Sequence, residues 1–377
     1  MKLIDRYVGG QLLVTFSLAV SVLSVVLVLG NVFKQLLDLL VKNDTPIEVV
    51  LSFLSYILPF SLAFTIPWAF LTTVLLVFGR LSADHELTAF RASGVSIPRL
   101  CYTVFLLAVA CVATCFYINI DVAPRAQAKM KEALYNVAVS NPLAMFGADR
   151  VIDEFPNKKI FVGSNKGPEL HDLLVYQITE DNLLMKVIFA RRGLLETDQA
   201  SKQLLLHIYD ATYEARDDDD QENLLKIKQG ITMKESTMAI SLEELHEKYR
   251  SHNLAGLTSQ ALLDKANENE REAHMTEKQR IEDSSATLTE INKRYSFSLA
   301  ALCFALVGVP LAITAHRKET SIGFLISLCV ALVYYFFIII ANTVREKPQW
   351  HPAELVWVPN ILCVIFGGWL FYRMSRR

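Results

Sequence analysis

Two groupings of charged side chains sit beside long apolar runs, at spacings that a helix would gather onto one face. Lys34, Asp38 and Lys42 recur at i, i+4 and i+8 where the first apolar run ends, so a helix stacks them on one side. Two ammonium groups around a carboxylate can snorkel to a bilayer interface. They can instead line a cavity and meet an anionic lipid headgroup, each lysine acting as a point charge for phosphate. The second grouping lies in GRLSADHELTAFRASGVSIPRL, Gly79–Leu100. On one helix, Ala83, Leu87 and Phe90 form an apolar stripe, and Asp84, Glu86 and Arg91 face elsewhere. Gly94 followed by Pro98 stops that helix. Such a segment is either an ordinary connector or a handle on which a partner pushes.

The motifs of covalent chemistry are missing. No GxxxxGK[ST] occurs, so ATP phosphates cannot be cradled in the P-loop manner. His85-Glu86 begins like HExxH but position 89 is Ala, and no GxSxG is present. The six cysteines all lie in apolar runs with no CxxC and no Cys/His cluster, so neither a metal site nor a disulfide framework is expected. Cys111 and Cys115 share a helix face and read as small hydrophobes. A net charge of −2 gives no sign of a nucleic-acid partner. Charges inside the apolar runs are scarce, which argues against a proton-relay transporter.

The elements that must carry these groups are membrane spans. Mean hydropathy is +0.31, and the apolar residues concentrate in the first third and last fifth of the chain. An α-helix needs ~20 apolar residues to cross hydrocarbon. Six runs qualify: Tyr7–Phe33, Val49–Gly79, Leu100–Ile120, Tyr295–Ala315, Thr320–Val344 and Leu355–Tyr372. The first is too long for a signal-peptide core and reads as a retained span. Pro59 and Pro67 are expected to kink or split the second. Lys and Arg crowd the loops that share a side with the N-terminus, among them Arg80, Arg91, Arg99, Arg317 and Lys318. Both termini are therefore expected inside and the large insertion outside.

That insertion, 121–294, has three textures. Asp121–Ser140 carries helix formers. From about 148 to 240 the pattern is strand-like: Lys158–Gly163, His171–Ile178, Leu183–Arg192 and Gln203–Ala215 are apolar-rich and separated by Pro, Asn and Gly signals. Strands at this spacing with no helices between them point to an antiparallel sandwich or jelly roll. Residues 241–294 form a polar, helix-prone return, in which Ser251–Ser285 fits ordered helix or linker equally. The acidic run Asp217–Asp220 reads as a solvated hairpin tip rather than a calcium loop.

Three clusters of this sequence resemble the LptF/LptG (YjgP/YjgQ) family, permease subunits of the lipopolysaccharide-export ABC transporter. They are Leu3–Tyr7 leading into the first span, Gly79–Ser96, and Asn292–Ile313 continuing to Arg317, with Trp357–Asn360 opening the last span. The resemblance covers the chain in order. It implies an α-helical membrane protein of six transmembrane helices with an inserted periplasmic all-β jelly-roll-like domain. Residues 1–120 would hold spans one to three with a cytoplasmic coupling helix near 80–96, and 295–377 spans four to six.

By the same resemblance, Asp84, Glu86, Leu87, Phe90 and Arg91 form the surface that docks on the ATPase, with Glu86 its acidic residue. Lys34, Asp38 and Lys42 form the candidate substrate site, the lysines falling near basic residues that face lipid A phosphates. The implied protein is a non-catalytic subunit without a cofactor of its own, ATP being used by a partner. Its implied partners are a paired homologous permease, a cytoplasmic ABC ATPase dimer, a periplasmic β-jelly-roll bridging protein, lipopolysaccharide and membrane lipids. Its implied location is the inner membrane of a Gram-negative bacterium. An ATPase-coupled mechanotransmitter or scaffold that carries no lipid would share the coupling helix but lack a lipid-lined cavity. A lipid-modifying enzyme is disfavoured by the missing nucleophile and metal motifs.

Overall fold

The computed structural model describes residues 3–42, 47–140, 146, 149–152, 155, 157–167, 169–178, 184–198, 203–216, 227–241, 254–269, 277–314 and 320–375. The chain divides into two compact units. One comprises Met1–Leu36, Pro46–Lys129 and Leu254–Arg377, the other Leu37–Thr45 and Met130–Asn253. The helices are α1 (Leu3–Lys42), α2 (Ile47–Ala83), α3 (Glu86–Ala92), α4 (Ile97–Tyr117), α5 (Ala123–Ser140), α6 (Ser259–Asn269), α7 (Glu277–Ser298), α8 (Ala300–Thr314), α9 (Thr320–Thr343) and α10 (Val358–Ser375). A π-helical turn, Ile118–Val122, joins α4 to α5 just before Pro124, whose missing N–H interrupts the regular ladder.

Among the described residues, five helices are long and apolar enough to cross a bilayer, and the pair α7–α8, bent by 41°, supplies a sixth if taken as one span. The expected fourth span, Tyr295–Ala315, begins in the last turn of α7 and continues through α8. With 15 residues, α8 is only about 22 Å long, short of the ~30 Å hydrocarbon core, so the last turns of α7 complete it. Of the kink or split expected in the second span, the split does not occur, since α2 keeps Pro59 and Pro67 inside one unbroken helix. Three residues before Pro67, the Tyr335 hydroxyl donates to the Phe64 carbonyl at 2.9 Å and ties α9 to α2.

At the centre of the helical unit is α8, apolar on every side and buried at Ala300, Ala301, Phe304, Ala305, Val309 and Ala312, as a helix without a polar face must be. Glycines let its neighbours close in. A Cβ on Gly308 would stand 3.1 Å from Leu71 of α2, and one on Gly367 of α10 would stand 2.8 Å from the Leu306 backbone. Where α7 gives way to α8, Asn360 Nδ2 donates to the Ser296 carbonyl at 2.9 Å and to its Oγ at 2.8 Å. Tyr334 donates to Asn360 Oδ1 at 2.9 Å, and Ser296 Oγ donates to the Val356 carbonyl at 2.8 Å. One turn earlier Glu290 is buried between Lys293 and Arg294. Arg294 also donates to Ser259 Oγ (3.2 Å) and to the carbonyls of Leu254 (3.2 Å) and Ala255 (3.0 Å). Residues 254–269, within the stretch that sequence left open, are thus ordered and pinned to α7.

The second unit holds a six-stranded antiparallel sheet in consecutive order: β1 (Arg150–Ile152), β2 (Lys158–Lys166), β3 (Glu169–Ile178), β4 (Leu184–Asp198), β5 (Gln203–Arg216) and β6 (Ile227–Ser241). This is the expected jelly-roll-like all-β insertion. Its core takes Ile152, Ile160, Val162, Leu173, Val175, Ile188, Leu206, Ile208 and Ile240 from the six strands, with Phe146 and Phe155 stacked at 5.8 Å. The pairing skips one residue on each of five strands along a single line: Gly163, Asp172, Arg191, Asp210 and Lys234. Asp172 and Asp210 take positive φ there, which Asp tolerates better than most residues. A Cβ on Gly163 would stand 2.9 Å from the Asp172 Cβ. Each strand shifts phase at that line, so apolar residues stay on the core face on both sides of it. The run Asp217–Asp220 lies outside the described residues.

Gly367→Ala is expected to force α10 off α8 and destabilise the solubilised protein by about 1–3 kcal/mol. Gly368→Ala, where an added Cβ meets nothing within 4 Å, is expected to leave the thermal midpoint unchanged. Parallel thermal unfolding of the two variants checks this.

Candidate functional site

The segment 79–100 folds differently from the single amphipathic helix that its periodicity suggests. Helix α2 runs on to Ala83, a turn follows, and His85 at φ 59° redirects the chain before the seven-residue α3 begins at Glu86. Ala83 therefore closes α2, while Leu87 and Phe90 belong to α3. The stripe exists only across the turn, because a left-handed residue breaks the 3.6-residue period on which it was drawn. The expected stop at Gly94 is present as a Schellman motif: the N–H of Gly94 reaches the Arg91 carbonyl (3.0 Å) and that of Val95 the Phe90 carbonyl (2.9 Å). Gly94 takes φ 82°. Ser96 is extended and Pro98 sits in the first turn of α4, where its missing N–H costs nothing.

Leu87 is buried and Phe90 packs partly buried against the bundle core, so both anchor α3. Asp84 and Arg91 are exposed. Glu86, half-exposed, accepts the Tyr7 hydroxyl at 3.2 Å and 3.1 Å on its two oxygens. Beside it, Asp5, 5 % exposed, pairs with Arg99 at 2.7 Å, and the Arg99 guanidinium lies 5.7 Å from the centre of the Tyr102 ring. The first turns of α1 are thus joined to α3 and to α4 through polar contacts spanning 79 and 94 residues of sequence. Asp5, Tyr7 and Arg99 were absent from the expected docking set. The only sequence signal was that Asp5 and Tyr7 lie in the family-like N-terminal cluster.

Two open grooves flank α3. One, of about 610 Å³, lies between Leu3, Ile4 and Tyr7 of α1 and Glu86, Ala89 and Phe90 of α3. The other, of about 720 Å³, lies between Arg91, Val95, Pro98, Tyr102 and Phe105 and the end of α10 at Phe371 and Met374. Apolar walls with Arg6 and Glu86 in one groove and Arg91 in the other suit a protein partner that supplies hydrophobic anchors and complementary charges. A third cavity, of about 380 Å³, is walled by Phe60, Phe64, Phe297 and Ile338 and carries Lys293, Arg294 and Arg345. Those cations already face carboxylates, Glu290 for the first two and Glu346 for Arg345, which leaves less charge for an incoming anion.

Lys34, Asp38 and Lys42 all lie on α1, which continues without a break to Lys42 and so keeps one of them per turn. Their side chains lie outside the described residues.

Leu87→Ala is expected to weaken the seating of α3 by about 2–3 kcal/mol. Amide exchange across residues 86–95 should then quicken by at least about tenfold, with exchange in strands β2–β5 unchanged; hydrogen-exchange mass spectrometry resolves the two regions.

The family model described as lipopolysaccharide export system permease LptF/LptG matches residues 6–373 of the chain. No curated protein matches it.

Proposed function

The chain belongs to the LptF/LptG family of lipopolysaccharide export permeases, and from that premise we propose that it is one of two paired permease subunits in an ATP-driven inner-membrane exporter. The observation that carries the reading is α3, a short helix held between two spans and flanked by grooves that mix apolar walls with charge. A cytoplasmic ABC ATPase dimer docks there, with Asp84, Glu86 and Arg91 presenting charge and Leu87 and Phe90 holding the helix to the bundle. Both termini then lie in the cytoplasm and the β unit in the periplasm, in line with the Lys/Arg bias of the loops.

Catalysis plays no part in this subunit's work, which is to convert a partner's nucleotide cycle into movement of spans. The two permeases enclose a cavity facing the outer leaflet. Acyl chains bury against its helices, and Lys34 and Lys42 meet lipid phosphates, with Asp38 between them on the same helix face. Nucleotide-driven closure moves α3, biases a bistable arrangement of spans, narrows the cavity and expels lipopolysaccharide. The β unit receives the lipid and passes it to a periplasmic β-jelly-roll bridge.

Glu86→Ala removes one charge-assisted hydrogen bond to the ATPase, worth about 1.5–3 kcal/mol. The purified complex is expected to bind its ATPase about tenfold more weakly or worse and to transport correspondingly slowly. Retention of both properties rejects the docking assignment. Photo-crosslinkers at position 34 are expected to capture lipopolysaccharide; capture of bulk phospholipid alone returns Lys34 to the role of an interfacial snorkel.

A further inference from the structure

The spans α4 and α10 meet through Phe105 and Phe371, whose ring centres are 6.4 Å apart. The groove of about 720 Å³ on that side of α3 runs from this contact to the segment that precedes α4. Its two ends differ in chemistry. Phe105, Phe371 and Met374 form one, Arg91, Gly94 and Ser96 the other, with Tyr102 along the wall.

Depth along the spans separates the two ends. At about 1.5 Å per residue, Cys101 and Phe105 stand about 6 and 12 Å into α4 from Ile97. Phe371 stands about 6 Å back from the end of α10 at Ser375. Arg91 and Ser96 precede the span. A soluble partner docked on α3 therefore meets the polar end and stops where hydrocarbon begins. The apolar end adjoins the outward surface of both spans, where Tyr102, Leu106 and Val109 of α4 and Ile365, Trp369 and Tyr372 of α10 are each more than half exposed.

The charge in this groove is of one sign. Arg91 lines it and, among the described residues, no carboxylate does, whereas the groove on the other side of α3 holds both Arg6 and Glu86. Two more cations stand close by. Arg99 lies 5.7 Å from the centre of the Tyr102 ring, and Arg373 lies 5.6 Å from that of Trp369; Asp5 offsets the first of them.

We infer that the groove between α4 and α10 is a binding site for an anionic phospholipid, with the phosphate at Arg91 and Ser96 and one acyl chain along Tyr102 to Phe105 and Phe371. Such a lipid brings charge and apolar chain in the order that the groove presents them. A further membrane helix would bring the apolar surface without the anion. Basic pockets between spans on a cytoplasmic face take acidic headgroups in this manner. A guanidinium has five donors, so Arg91 can hold a phosphate and still present charge to a docked ATPase. Only the assignment of the site to the cytoplasmic leaflet rests on the orientation proposed above.

The test uses the full chain purified in detergent and phospholipids that carry a photoactivatable diazirine in one acyl chain. Mass spectrometry of the labelled peptides reads where the chain lies. Phosphatidylglycerol is expected to label Tyr102–Phe105 and Phe371–Met374 at least fivefold more than phosphatidylethanolamine does. Arg91→Ala and Ser96→Glu are each expected to lower that labelling about fivefold, the worth of one cation beside an anionic headgroup, and to leave labelling around Leu18 unchanged. Both positions are exposed and a glutamate suits a helix start, so the variants fold; matching thermal midpoints check this. Equal labelling by the two lipids, or undiminished labelling in both variants, overturns the site. So does capture of the ATPase in place of lipid by a photo-reactive residue at position 371 in the whole complex. The labelling needs neither ATPase nor transport, so its failure leaves the permease reading standing, and a complex that exports nothing leaves the lipid site standing.

Discussion

Where α7 gives way to α8, the backbone loosens next to the most apolar helix of the protein, and three side chains from three helices close on the spot. Ser296, Tyr334 and Asn360 exchange hydrogen bonds with one another and with the carbonyls of Ser296 and Val356. Hydrocarbon offers no replacement for a missing partner, so every polar group at such a depth must be answered by the protein. The same constraint accounts for Tyr335 at the Phe64 carbonyl and for Arg294, whose guanidinium is divided between a buried carboxylate, a hydroxyl and two carbonyls. These polar ties join α7, α9 and α10 and hold α2 to α9. The apolar packing around α8 is built on that frame.

Given such a frame, small residues decide how tightly it closes. Gly308 admits the side chains of Leu71 and Val74 from α2, and Gly367 brings α10 almost to the Leu306 backbone of α8; dispersion then operates over short distances where lipid gives no hydrophobic drive between helices. Helix α1 is tied to α4 and α3 through Asp5 and Tyr7 in its first turns, while Gln11 Oε1 and Ser24 Oγ on it are buried without a hydrogen-bond partner among the described residues.

The β unit meets a different demand, since it must fold a sheet whose inner face stays apolar through a change of direction. The line Gly163–Asp172–Arg191–Asp210–Lys234 does so by letting every strand it crosses slip one residue together. A slip on one strand alone would turn half of that strand's apolar residues outward. Aligned across the sheet, the slips keep neighbouring strands in register, and Asp and Gly occupy places where most residues would be strained or crowded.

Hydropathy and period are local quantities, and what they govern was legible in the sequence: the membrane spans, the strand-rich insertion, and the short polar segment between the second and third spans. Four of the six strands were recognised by their own apolar residues. The other two, Arg150–Ile152 and Ile227–Ser241, are respectively very short and richly polar, and they exist because neighbours pair with them. Within 79–100 the stop at Gly94 could be read, because it depends on residues beside it. The left-handed His85 that divides the stripe could not, since nothing in its type demands that backbone. Asp5 with Arg99, Tyr7 with Glu86 and Asn360 with Ser296 were chosen only by the tertiary structure. A hydrogen bond between residues 64 to 94 positions apart depends on how whole helices pack, and no local pattern encodes that distance.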